Sequence, residues 1–170
     1  MATYRLPIIN SFSIPDTRLT TGNVIPEPMN INFGTNNRFR HLLIRFLDTS
    51  TKDGLAGKFK VPKNYVGSAK IIIDWSATVT TGNVVWGFDY NHAAAGGSMD
   101  PSTDTESLTV TSAAPGTARL LVEASISVTS SNLAIDDEVM FLFSRVGSSG
   151  SDTMASNAYL FSLLFEYTDV

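Results

Sequence analysis

The sequence predicts an all-β protein, an eight-stranded antiparallel jelly-roll sandwich with an extended N-terminal arm. Apolar and polar residues alternate at a period of two in segment after segment, and clusters of Gly, Pro and Ser separate these segments. No stretch of about ten residues or more carries a helical period. The 170 residues make one ordinary domain, which removes roughly 70% of its unfolded surface from water on folding.

Residues 1–37 form the predicted arm, and residues 38–170 the jelly-roll domain. Four of the 7 prolines, Pro7, Pro15, Pro26 and Pro28, fall in the arm among apolar residues that follow no period. Tyr4, Leu6, Ile8, Ile9, Phe12, Ile14 and Phe33 make it too apolar for a solvated linker. It is expected to lie extended on another surface, that of its own domain or of a neighbouring subunit.

The first strand spans 39–47, with Leu42, Ile44 and Phe46 on one side. Residues 48–57 read as polar and turn-rich, and 58–61 as a short strand stopped by Pro62. The stretch AKIIIDWSATVTTGNVVWGFDYN, residues 69–91, then puts Ile71, Ile73, Trp75, Ala77 and Val79 in one alternating series and Val84, Trp86, Phe88 and Tyr90 in another. If Gly82-Asn83 is a two-residue turn, the two series share one face of a hairpin, and Trp75 faces Tyr90. Jelly-roll topology instead sends most consecutive strands to opposite sheets. In both cases Trp75 and Trp86 point into the core, while Asp74 and Asp89 point to solvent.

A loop rich in small residues runs from His92 to Asp104. Residues 106–111 alternate and end near the Pro115-Gly116 turn. Residues 118–128 put Ala118, Leu120, Val122, Ala124, Ile126 and Val128 on one side. Residues 138–146 are apolar on both sides, as a central strand is. Beyond the Ser/Gly-rich segment 147–152, Tyr159, Phe161, Leu163, Phe165 and Tyr167 alternate to the end of the chain.

Composition narrows the function. The net charge is −4 and the pI about 5.0, which leaves no basic surface for a phosphate backbone, so no nucleic-acid partner is expected. No apolar run reaches the roughly 20 residues of a membrane helix, so no membrane partner is expected either. The N-terminus has neither the basic nor the long apolar part of a signal peptide. With 0 cysteines and 2 histidines, His41 and His92, the chain offers no thiolate site, no convergent histidine cluster and no acid–base constellation. No enzyme activity, resident cofactor or metal is expected. Two acidic clusters, Asp100/Asp104/Glu106 and Asp136/Asp137/Glu138, hold carboxylates of the kind that bind Ca²⁺. Solvation is the commoner use of such loops, and Asp136-Asp137 fits a tight lead into a strand, bonding local amides.

The succession IIIDWSATVTTGNVVWGFDY, SLTVTSAAPGTARLLVEASISVT and NLAIDDEVMFLFSRVGSSGSDTMASNAYLFSLLFEY resembles the small jelly-roll domains of tailed-bacteriophage head decoration and head fibre proteins. The resemblance covers residues 39–170. It rests on Trp75, Val85-Trp86 and the spacing of Arg145 to Asp152-Thr153, while Ile135-Asp136 stands where the pattern has Gly-Asp. It implies a minor capsid or decoration protein on the virion head, made in the host cytoplasm, homotrimeric and bound to the major capsid protein. The arm residues Tyr4, Arg5, Ile8, Ile9, Phe12, Arg18 and Phe33 would make that contact. The alternative is a glycan-binding module of a fibre or baseplate, with Tyr90, Asn91 and His92 as exposed loop contacts.

Overall fold

The computed structural model describes residues 1–9, 14–15, 27–31, 41–98 and 104–169. Among these residues, eleven strands run β1 (Thr3–Pro7), β2 (Ile14–Pro15), β3 (Glu27–Ile31), β4 (His41–Phe46), β5 (Lys52–Lys60), β6 (Gly67–Ala77), β7 (Asn83–Ala93), β8 (Glu106–Ala113), β9 (Val122–Ser127), β10 (Glu138–Val146) and β11 (Ala158–Thr168). One sheet has the order β3-β4-β11-β6-β9, with β1 also on β11; the other has the order β2-β5-β10-β7-β8. The eight strands from β4 onward divide between two four-stranded sheets, β4-β11-β6-β9 and β5-β10-β7-β8, and the chain changes sheet at every step except β7 to β8, which is jelly-roll topology.

The stretch around the tryptophans is therefore a crossover and not a hairpin. β6 pairs with β11 and β9, whereas β7 pairs with β10 and β8. Parity alone cannot separate the two arrangements, because an arch between facing sheets also turns both apolar series inward. What fixes the arch is a long-range contact. Gly82 has φ +89°, and a Cβ there would lie 2.6 Å from Met154 Cα. Thr153 N and Met154 N both donate to Asn83 O, at 2.8 and 2.9 Å, and Asn83 N donates to Thr153 Oγ1 at 3.0 Å. The turn is thus docked on the β10–β11 connection, and only glycine permits so close an approach.

The core lies between the sheets. Trp86 stacks on Phe143 at 5.2 Å and meets Phe46 and Trp75 edge-on at 5.3 and 5.8 Å, so a single indole joins both sheets. Trp75 Nε1 donates to Ser112 Oγ at 3.1 Å.

Three elements differ from expectation. β5 begins at Lys52, inside the stretch read as turns, because its glycines serve close packing: a Cβ on Gly57 would lie 2.5 Å from the Phe141 ring. β9 begins only at Val122, since Arg119 has φ +71° and turns the chain. Leu120 is 54% exposed as a result and does not reach the core. On β4, Leu42 is exposed while Phe46 is fully buried.

The described parts of the arm are woven into the sandwich. β1 pairs with β11 from Thr3↔Thr168 to Pro7↔Leu164 and continues the edge that β4 occupies at Ala158–Leu160. Ile8 N donates to Leu163 O at 2.9 Å, and its side chain is fully buried in the core. β2 and β3 add to β5 and β4. Ile8 is therefore a core residue and presents no surface to a partner. Ile9 packs partly buried against the same core. Arg5 is held by Glu123 at 2.7 Å and Glu166 at 2.8 Å. Tyr4 stacks on Tyr167 but remains 45% exposed. Phe12, Arg18 and Phe33 lie outside the described residues.

Candidate functional site

The sequence places Tyr90, Asn91 and His92 in one exposed loop, but all three belong to β7, and alternation splits them. Tyr90 is buried in the core and is not an exposed contact. Its hydroxyl donates to Glu106 Oε2 at 2.7 Å, and burial, reinforced by that carboxylate, pushes its pKa well above the ordinary phenol value. His92 shares the parity of Tyr90; its Nδ1 lies 2.9 Å from Asp137 Oδ2, which also accepts Ala134 N at 3.0 Å. Asp137 therefore does bond the local backbone of the lead into β10, and its carboxylate is occupied by these two partners. Asn91 alone faces outward, where its Oδ1 accepts Thr105 Oγ1 at 3.2 Å.

Asn91 belongs to a larger surface. Because Val139, Phe141 and Phe143 fill the core, the intervening residues of β10 form the outer face of the second sheet. The strand register aligns them in rows: Lys60, Glu138 and Ala93; then Lys58, Met140 and Asn91; then Ala56, Leu142, Asp89 and Ser107; then Gly54, Ser144, Gly87 and Thr109. Met140 and Leu142 are half-buried, which gives β10 a short apolar stripe. Lysines of β5 flank it on one side; Asn91, Asp89 and the hydroxyls of β8 flank it on the other.

Among the described residues, three ion pairs lie on this face. Lys52 reaches across β10 to Asp89, which also accepts the Ser107 hydroxyl. Lys58 pairs with Glu138 at 2.9 Å and Lys60 with Asp136 at 3.7 Å. Asp89 is thus only 8% exposed, against the solvent-side position expected from alternation. Asp74, on the outer face of the first sheet, accepts the hydroxyl of Ser162.

The end of the stripe opens into a cleft of about 240 Å³ lined by Lys60, residues 93–97, Asp136 and Glu138. Its alanine and glycine wall has no long side chains, and Gly96, with φ +86°, lets the loop bend. Asp136 has φ +67°, a left-handed conformation that Asp tolerates, and its N–H donates to Val61 O at 3.1 Å. Among the described residues, no three His, Asp or Glu side chains converge as a metal site. Asp100 lies outside them.

This face is hidden in the sequence because the first part of β5, within residues 48–57, has the composition of turns. Once β5 is a strand, Lys52, Lys58 and Lys60 share one parity, the pattern of a solvated face.

Neither a family model nor a curated protein matches the chain. Solved structures do. A CBM35 from Cellvibrio japonicus Abf62 superposes with a TM-score of 0.52 at 12% identity, covering 99% of this chain and 95% of that one. A family 35 carbohydrate binding module from Clostridium thermocellum gives 0.52 at 14% identity, over 99% of both chains. An arabinose-bound MgGH51 α-L-arabinofuranosidase gives 0.50 at 11% identity, over 94% of this chain but 24% of that one. At such identities the likeness shows the fold, a β-sandwich jelly roll.

Proposed function

We propose that the chain is a non-catalytic carbohydrate-binding module, carried on a virion fibre or baseplate, whose glycan lies along β10. The observation that carries this reading is the amphipathic track itself. Met140 and Leu142 offer apolar contact to the C–H face of a sugar, and Asn91, Ser107 and Lys58 stand beside them as hydrogen-bonding groups. The full-length likeness to two carbohydrate-binding modules supports it at the level of fold. On a broad glycan array the wild-type protein is expected to bind at least one glycan. Leu142→Ser, which removes an outward contact and leaves the core intact, is expected to weaken that binding about tenfold. Silence across the array would sink the reading.

A second reading, a head decoration or minor capsid protein that trimerises on the major capsid protein, is supported by the residues of the sequence resemblance. Trp75 and Trp86 meet in the core, Arg145 bonds Asp152, and Thr153 holds the Gly82-Asn83 arch. Removing residues 1–37 would be a poor test, because Ile8 and β1 to β3 belong to the sandwich. Tyr4→Ser is better: it changes an exposed ring and is expected to lower occupancy on capsids with little change in melting temperature. Undiminished occupancy would remove Tyr4 from the proposed contact.

A further inference from the structure

We infer that the glycan taken by this track is uncharged; the inference rests on the carbohydrate-binding reading. Among the described residues, the six charged side chains along the track are mated one to one: Lys52 with Asp89, Lys58 with Glu138, and Lys60 with Asp136. Each lysine comes from β5, while the carboxylates come from β7, β10 and the lead into β10. The arrangement therefore balances charge across the face and gathers no field of one sign.

The consequence for a ligand is direct. A uronate or sulfate that approaches Lys60 must displace Asp136 or sit beside it and Glu138, and an amino sugar that approaches these carboxylates meets Lys60. Either arrangement places like charges side by side, which disfavours the wrong partner. A sugar hydroxyl has no such conflict, because it both donates and accepts and so fits between an ammonium and a carboxylate. Lys60 and Asp136 are 60% and 46% exposed, so their pairing is weak enough for a hydroxyl to enter between them. The alanine and glycine wall at residues 93–97 adds no charge of its own.

The test compares length-matched neutral, uronate-containing and amino-sugar oligosaccharides by titration calorimetry. Wild-type protein is expected to bind the neutral series, with both charged series at least about tenfold weaker. Lys60→Gln leaves Asp136 unmated and is expected to shift preference toward amino sugars. Asp136→Asn, which keeps a residue suited to positive φ, leaves Lys60 unmated and is expected to shift it toward uronates. Thermal melts establish that both exposed-site variants remain folded. A wild-type preference for either charged series overturns the inference while the carbohydrate-binding reading stands; so does an unaltered preference in both variants. Failure to bind any of the three series, with silence on the broad array, overturns the reading and the inference together.

Discussion

Replacing Arg145 with methionine is expected to cost about 3–5 kcal/mol of folding stability, read as a lower urea midpoint at an unchanged m-value. The guanidinium is 1% exposed and completely engaged. Nε and Nη2 donate to the two oxygens of Asp152 at 3.0 and 2.7 Å, Nη1 to Ser156 O at 2.7 Å and Leu47 O at 3.3 Å, and Nη2 to Met154 O at 2.8 Å and Asp48 Oδ1 at 3.3 Å. One side chain thereby ties the β4–β5 and β10–β11 connections to β10. Methionine fills similar volume but leaves Asp152, 3% exposed, as a buried carboxylate without its cation. Val85 N, which donates to Asp152 at 3.0 Å, is a partial substitute. Arg145→Lys is expected to recover little, since an ammonium cannot span the fork-like array of acceptors. A loss of stability under about 1 kcal/mol for the methionine variant would show that these bonds barely exceed the cost of burying the charges.

The role of Arg145 also marks how far the sequence can be read. Eight strands and the inward tryptophans are legible because alternation is a local signal, carried by residues two apart. Sheet membership is not local. The choice between hairpin and arch at Gly82-Asn83 depends on Thr153 and Met154, some 70 residues away in the chain. Arg145 did leave a trace, since it shares parity with Val139, Phe141 and Phe143 and so falls on the core face of β10, where a cation needs partners. The outer face of β10 and β5 is less legible in the sequence. Gly54 and Gly57 resemble turn residues by composition, and only the packing of Phe141 over Gly57 explains why a strand accepts them. The arm illustrates the same limit: Ile8 looks like any apolar residue in a proline-rich leader until its hydrogen bond to Leu163 O places it in the core.

Beside the arginine, Asp53 is expected to act against stability at neutral pH, and Asp53→Asn to stabilise the protein by about 2–3 kcal/mol there. Asp53 is 1% exposed, and its Oδ1 has no hydrogen-bond partner among the described residues. Burial raises its pKa from 3.8 to about 6, even though the Leu47 N–H, the charge of Arg145 and the Thr49 hydroxyl all favour the ionised form. The arginine is no full remedy, because its donors are taken by Asp152, Asp48 and three carbonyls. Between pH 4 and 6, roughly, the folded protein holds a proton that the unfolded chain has released, so this group makes stability fall as pH rises through that window. Below the unfolded value both states are protonated and the penalty vanishes; above about 6 it is complete. Urea unfolding from pH 3 to 8 should therefore show the asparagine variant gaining stability over wild type across that window and holding its advantage at pH 7. An advantage of the same size at pH 3 would assign the gain to packing instead. A loss at pH 7 would mean that the ionised carboxylate is needed opposite Arg145, outweighing its desolvation.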